Sequence, residues 1–211
     1  MKRLALLLML VGSAAFAAPD TLLRGHGADT LARIDLVAHE THTLSAEFTQ
    51  RSKVKLFKQE LVQKGRLAFK APRQIRWQYL SPDPSLLVLD GMKATMTSPG
   101  AAPQVFDLDR DATMSAVFEQ LLTFVGGGSM ARAEQSYAVA IGGSDRAPVI
   151  TLVPNPDAPA GKVFSRIELS FDDKLIVKQI VLTERSGDEK TIVFSKVARN
   201  VPLGNDLFIP R

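Results

Sequence analysis

The feature that most constrains the fold is a long series of short segments in which apolar and polar residues alternate. Residues 43–52 open the series, with Leu44, Ala46 and Phe48 on one side of the chain. Alternation with a period of two predicts a β-strand that buries one face. Segments that read as further strands follow at residues 60–70, 74–80, 85–90, 92–97, 104–108, 136–141, 148–153, 163–171, 175–183 and 190–198. The sequence therefore predicts about eleven strands.

Two properties of these segments refine the prediction. Residues 85–90 are apolar on both faces, which indicates a strand that is covered on both sides. Short turns at Asp172-Asp173 and Ser186-Gly187-Asp188 separate the last three strands, so we expect those strands to pair as a meander.

Two segments have helical periodicity instead. Residues 28–40 form a short amphipathic pattern that Asp29 or Thr30 could cap. A second apolar stripe follows Asp111, which can cap it, and ends at the glycines of residues 126–128. Its members are Met114, Val117, Phe118, Leu121, Leu122 and Val125.

The strands and the two helices together predict a mainly β fold. In this fold a large, curved antiparallel sheet carries the helices across its concave face as a plug or lid. Residues 153–159 are predicted to be a proline-rich loop.

The first residues have the pattern of an export signal. Lys2 and Arg3 precede an apolar run over residues 4–11, and Ala15-Phe16-Ala17 fits a cleavage site. We therefore expect a cleaved signal peptide at residues 1–17, a single domain over residues 18–211, and a periplasmic location. A buried N-terminal helix is the alternative interpretation. No later segment reaches the length of about 18 apolar residues that a membrane span needs.

Composition narrows the class of protein. The chain has 211 residues, 45% of them hydrophobic and none of them cysteine, so its core must hold the fold without disulfides. Removing the two basic residues of the leader from the net charge of +4 leaves +2. This balance gives no support to a nucleic-acid partner.

No arrangement of residues indicates catalysis. The sequence has no nucleophile elbow, phosphate-binding loop or dinucleotide-binding glycine pattern. His39 and His42 are three residues apart, whereas zinc-binding helices of the H-E-x-x-H type need four. Residues 107–111 begin like a calcium loop, but Ala112 and Phe118 stand where that loop needs Gly and Glu. We therefore expect that the protein is not an enzyme and that it binds neither a metal nor a cofactor.

The unexplained feature is the amount of apolar side chain in and around the strands. These residues fit an ordinary core, and together they also fit a cavity for an apolar ligand. They include Phe69, Trp77, Tyr79, Met92, Met96, Phe106, Met114, Phe118 and Phe124. A basic cluster at residues 64–76 fits either a solvated strand face or a surface that docks a partner.

Several motifs, in order along the chain, resemble the outer-membrane lipoprotein carrier (LolA-like) family. They are Leu44-Ser45-Ala46-Glu47-Phe48-Thr49-Gln50, Gly65-Arg66-Leu67-Ala68-Phe69, Pro72, Arg76-Trp77, Pro82 and Asp90-Gly91, with a closing Asn200-Val201-Pro202-Leu203 and Phe208-Ile209-Pro210. The resemblance implies an incomplete, half-open antiparallel β-barrel with a lid of short helices on its concave face. It also implies a monomeric carrier that shuttles acylated lipoproteins from an inner-membrane ABC transporter to an outer-membrane acceptor, without covalent chemistry.

On this resemblance, the side chains assigned to the acyl cavity and lid are Phe48, Leu67, Phe69, Ile75, Trp77, Tyr79, Leu87, Leu89, Met96, Met114, Phe118 and Leu121. Family members place an Arg before the Pro of the third motif, where it ties the lid shut. This chain has Ala71 there. Either a neighbour substitutes or the lid is held less firmly, and the polar candidates for the lid or a partner are Lys70, Arg73 and Arg76.

Two other functions remain open from the sequence. Because of Ala71 and the short C-terminus, the cargo could be another exported lipid, such as an aryl-polyene lipid. The concave face could also dock a partner protein as a module without catalytic activity.

Overall fold

The computed structural model describes residues 27–55, 59–125, 129–130 and 133–210. The predicted signal peptide lies outside these residues. Three α-helices are described: α1 (Ala28–His39), α2 (Ala112–Val125) and α3 (Pro159–Val163). Eleven strands are described: β1 (Thr43–Lys53), β2 (Leu61–Lys70), β3 (Gln74–Ser81), β4 (Ser85–Asp90), β5 (Lys93–Thr97), β6 (Gln104–Asp107), β7 (Tyr137–Ser144), β8 (Ala147–Pro154), β9 (Phe164–Phe171), β10 (Val177–Glu184) and β11 (Glu189–Arg199).

The described strands form one antiparallel sheet in the order β6-β5-β4-β3-β2-β1-β11-β10-β9-β8-β7. Strands that follow one another in the chain therefore pair, except for β6 and β7, and the first and last strands, β1 and β11, pair at the centre of the sheet. Strands β6 and β7 lie at the two ends of this order, so the sheet is open. The predicted open antiparallel architecture and the meander of β9, β10 and β11 are confirmed.

The sheet curls strongly towards one face. Adjacent strands lie about 4.8 Å apart, so β3 and β11, three steps apart, would be roughly 14 Å apart in a flat sheet. The ring centroids of Trp77 on β3 and Phe194 on β11 are only 6.1 Å apart. The face that carries these rings is therefore the concave face, and α1 and α2 pack against it.

Both faces of the sheet bury apolar side chains. The main core lies between the concave face and the helices, and it includes Leu31, Ile34 and Phe118 from the helices. A smaller cluster on the convex face joins Leu86 and Val88 of β4 to the C-terminal segment, residues 200–210, here called the closing segment. This second cluster explains why β4 is apolar on both faces, as the sequence predicts.

The helix ends differ in part from the predictions. Asp111 caps α2, because its Oδ1 accepts a hydrogen bond from the backbone N–H of Met114 at 2.9 Å. The predicted cap of α1 at Asp29 or Thr30 is wrong: Gly27 precedes the helix, with no side-chain cap hydrogen bond. Helix α3 replaces the end of the predicted proline-rich loop, and Pro159 suits its first turn. Among the described helices, none has the length and apolar character to cross a membrane.

Candidate functional site

An apolar cavity of about 540 Å³ lies between the concave face and the helices α2 and α3. This volume is within the range of about 300–1,000 Å³ that ligand pockets typically have. The described residues that line it are Gln50, Trp77, Tyr79, Ser85, Leu86, Leu87, Met96, Val117, Gln120, Leu121, Phe124, Ala160, Val163, Phe164, Ile180, Leu182, Lys190 and Ile192. Most of these side chains are aliphatic or aromatic, so the cavity offers an apolar environment to a ligand.

The cavity lies towards one end of the curled sheet. At the other end, α1 packs over Leu44, Ala46 and Leu67 and leaves a space of only about 40 Å³. Helix α1 therefore closes this end of the curled sheet. The other end, where Tyr79 of β3 and the start of β11 lie, contains the open cavity, which a ligand could enter.

Five of the residues assigned from the sequence line the cavity: Trp77, Tyr79, Leu87, Met96 and Leu121. The structure places the other assigned residues elsewhere in the core. Phe48, Leu67, Phe69, Ile75, Leu89 and Phe118 are at most 3% exposed, and Met114 packs against the same core. Phe48 supports the wall from behind, with its ring centroid 4.6 Å from that of Trp77.

The sequence analysis missed the opposite wall of the cavity. This wall comes from β10 and β11, through Ile180, Leu182, Lys190 and Ile192. It also missed Gln120 on α2 and the contribution of α3. It named Val117 in the apolar stripe and Phe124 among the residues that fit a cavity, but it assigned neither to the site. Because Ile180 and Leu182 are two residues apart on a strand, the sequence does show that they share one face. Only the curl of the sheet, however, brings that face opposite Trp77.

A few polar side chains enter this apolar site. The Oε1 of Gln50 accepts a hydrogen bond from the hydroxyl of Tyr79 at 2.8 Å. The Nε2 of Gln50 donates to Ser52 Oγ and to Gln63 Oε1, each at 3.1 Å. Burial raises the pKa of Tyr79, so its hydroxyl stays neutral and remains a donor at physiological pH.

Contacts at two places hold α2 over the cavity. The Nη1 of Arg73 lies 2.5 Å from Glu119 Oε1 on α2, and its Nε donates to the carbonyl oxygen of Gly91 at 3.3 Å. Beyond the C-terminal end of α2, Ser129 Oγ donates to Asp35 Oδ2 of α1 at 2.6 Å. Of the polar candidates from the sequence, Arg73 is therefore the one that the structure places against the lid helix.

Lys70 and Arg76 lie against the closing segment instead. The Nζ of Lys70 is 2.5 Å from Asn205 Oδ1, and the Nη1 of Arg76 donates to the carbonyl oxygen of Leu207 at 3.2 Å. Burial lowers the pKa of Arg76. These two side chains hold the C-terminus on the convex face, away from the cavity.

The described residues contain no group of three or more His, Asp or Glu side chains placed to hold a metal ion.

Solved structures share this fold at low sequence identity. A LolA superfamily protein from Nitrosomonas europaea is 11% identical, with 87% of this chain and 97% of that chain covered and a TM-score of 0.48. A chain of the MucA/MucB complex of Pseudomonas aeruginosa is 13% identical, with 89% of this chain and 62% of that chain covered and a TM-score of 0.50. A structure described as MucB gives 14% identity, 87% and 62% coverage and a TM-score of 0.53.

Among curated proteins, none matches the chain. The profile of the family described as outer membrane lipoprotein carrier protein LolA, however, matches residues 39–210. This match spans most of the chain and all eleven described strands. The chain therefore belongs to the LolA family of outer membrane lipoprotein carrier proteins.

Proposed function

We propose that this protein is a periplasmic carrier that holds the acyl chains of lipoproteins in the concave cavity. It would receive them from an inner-membrane ABC transporter and deliver them to an outer-membrane acceptor, by binding alone. The observation that carries the proposal is an apolar cavity of about 540 Å³ in a member of this carrier family.

The affinity of such a cavity follows from hydrophobic transfer. Each methylene group that moves from water into an apolar site contributes about 0.8 kcal/mol. Ten buried methylene groups would then contribute about 8 kcal/mol, which corresponds to a dissociation constant near 1 μM. An acyl chain therefore needs no specific hydrogen bond in order to bind.

Release is the harder requirement for a carrier. If α2 settles into the empty cavity, the ligand must displace it, and the net affinity falls by the free energy of that closure. Val117, Leu121 and Phe124 of α2 line the cavity, so the same helix can cover a ligand or compete with it. A weakened net affinity would allow an acceptor to take the cargo.

The test is displacement of a fluorescent fatty-acyl probe from the full chain, followed also by the emission of Trp77, the only tryptophan. Val117→Glu places a carboxylate at the roof of the cavity, and Val105→Glu is its control. Val105 on β6 is 64% exposed and lies outside the cavity lining, whereas Val117 is 47% exposed and lines it. We expect Val117→Glu to weaken probe binding by about tenfold or more, because a carboxylate resists desolvation.

The control should bind the probe like the parent chain. Equal binding by both variants, or no binding by the parent chain, would contradict the carrier proposal. Native mass spectrometry of protein purified from its host would identify the cargo, whether lipoprotein or another exported lipid. A protein partner recovered on the concave face of a chain that binds no acyl probe would favour a docking module instead.

A further inference from the structure

A row of polar side chains, here called the polar band, lies at one end of the cavity. Gln50, Tyr79, Ser85 and Lys190 line the cavity, and Gln63 and Ser52 adjoin them through hydrogen bonds to Gln50. The polar band crosses the sheet from β4 to β11 and consists of Ser85, Tyr79, Gln63, Gln50, Ser52 and Lys190. The strand pairing places its members next to one another, since Tyr79 lies opposite Ser85, Gln50 opposite Gln63, and Ser52 opposite Lys190. Gln50 and Ser52 are 6% and 4% exposed.

The polar band ends at a positively charged residue, Lys190 on β11. Lys190 is the one charged residue among the described residues that line the cavity. It lies opposite Leu182 in the pairing of β10 with β11, and Leu182 lines the cavity as well. The Lys190 ammonium therefore belongs to the concave side, at the edge of an apolar space.

Glu184 is the partner of this cation in the structure. The Nζ of Lys190 lies 2.6 Å from Glu184 Oε1, and the two side chains are 39% and 24% exposed. Glu184 is outside the cavity lining. Ion pairs this exposed contribute little to stability, so another anion could replace Glu184 at small cost.

From the polar band and Lys190 we propose that the cavity prefers an amphiphile with an anionic head group, either a carboxylate or a phosphate. This inference rests on the proposed acyl-binding function. The head group lies at the polar band and pairs with Lys190, with Gln50 and Tyr79 beside it. The acyl chain extends away from the band, along Trp77 and Ile180 and beneath Phe124.

The experiment compares ligands that differ in head-group charge. Binding of a long-chain fatty acid, the fatty alcohol of the same length and a lysophosphatidic acid is measured on the full chain at neutral pH by probe displacement. Lys190→Met should weaken binding of the two anions about tenfold and leave the alcohol unchanged, because a charge-assisted hydrogen bond is lost. If Lys190→Met weakens the binding of only one of the two anions, that result identifies the preferred head group and supports the proposal.

Two further variants test the pairing itself. Glu184→Gln should strengthen binding of the anions severalfold, because the competing carboxylate is gone, and Lys190→Arg should keep the preference for anions. Lys196→Met is the matched control, since Lys196 is also on β11 and pairs with Glu47 at 3.0 Å, but in the groove of the convex face. This control should leave the binding of all three ligands unchanged.

The outcomes separate the two proposals. If the acid and the alcohol bind equally and Lys190→Met affects them alike, the anionic preference is refuted while acyl binding stands. If the parent chain binds none of the three ligands, the proposed function fails as well.

Discussion

Gly65 illustrates how a single residue fixes the wall of the cavity. It lies opposite Phe48 in the pairing of β1 with β2, and the Phe48 ring supports Trp77 and Tyr79, at 4.6 and 5.3 Å between centroids. A Cβ atom at Gly65 would overlap the Phe48 ring and the backbone carbonyl of Gln78. The glycine of this motif is therefore needed for close approach.

We expect Gly65→Ala to lower the free energy of unfolding by roughly 1–3 kcal/mol, because the overlap forces the core apart. Denaturant unfolding measures this, and the emission of Trp77 should shift as its neighbour Phe48 moves. Gly142→Ala on β7 is the control: a Cβ there meets nothing within 4 Å, so its stability should stay close to that of the parent chain. A Gly65→Ala variant as stable as this control would contradict the packing described.

The two tyrosines of the chain predict how stability depends on alkaline pH. Burial raises the pKa of Tyr137 to about 12 and also raises that of Tyr79, whereas an unfolded tyrosine titrates near 10. The folded state thus favours the neutral phenols. This contribution to stability is complete below pH 10 and is lost as the pH rises from about 10 to 12.

The near-ultraviolet absorbance of tyrosinate should therefore stay low in the folded protein at pH 10, where half of a free tyrosine would be ionised. Tyr137→Phe should remove one of the two titrations and reduce the loss of stability over this interval. A full tyrosinate transition centred at pH 10 in protein that is still folded would show that these rings are exposed.

Single residues also show what sequence patterns cannot predict, namely which side chains of one face line the cavity. Alternation indicates that Trp77 and Ile75 share a face, yet Trp77 lines the cavity and Ile75 is completely buried beneath the helices. The difference depends on which part of the sheet the helices cover, and no local pattern contains that information. Lys190 is a similar case, since it enters the cavity only through the register of β10 with β11.

At the scale of elements, the ion pair between Arg73 and Glu119 is one of the contacts that hold α2 over the cavity, beside the buried side chains of Phe118 and Leu122. The sequence left open whether a neighbour of Ala71 replaces the expected arginine, and Arg73 makes this contact. The two side chains are 27% and 53% exposed, so the pair contributes about 1 kcal/mol or less. This ion pair is therefore a weak part of the attachment of α2, to which buried side chains such as Phe118 and Leu122 also contribute.

We expect Glu119→Gln to raise the population of detached α2 by up to about fivefold, as an energy of this size allows. Hydrogen exchange should become faster in residues 114–125 and remain unchanged in the central strands β1 and β11, and the fatty-acyl probe should bind with a higher association rate. Arg146→Ala, an exposed arginine in the turn between β7 and β8, is the control. Unchanged exchange in α2 would mean that other contacts hold the lid.

An element could be predicted from sequence where it spans at least two of its own periods, which takes about four residues in a strand and about seven in a helix. The strands and the helices α1 and α2 each span enough residues to show a period. Helix α3 has five residues, which is too few for a helical stripe, and its proline made it look like a loop. Its position matters nonetheless, because Ala160 and Val163 form part of the cavity roof.

At the scale of the whole molecule, the curled sheet divides the protein into two apolar compartments with different roles. The concave side has the helices, the cavity and the polar band, and the convex side has a small, filled cluster under the closing segment. Phe208 is 2% exposed and packs there with Ala68, Leu86 and Val88. Leu86 is the one described side chain of this cluster that also lines the cavity. We therefore expect stability and ligand binding to be largely, but not completely, separable.

Phe208→Ala should therefore destabilise the fold without changing the cavity. We expect the free energy of unfolding to fall by about 3–5 kcal/mol, as for other buried phenylalanines, while the affinity for the fatty-acyl probe stays within about twofold of the parent value. Ile209→Ala is the matched control, because the adjacent side chain is 44% exposed and should cost far less. Thermal unfolding and probe titration on the same samples measure both quantities. A parallel loss of affinity would show that the closing segment acts through β4 on the cavity wall at Leu87, and that the two compartments are coupled.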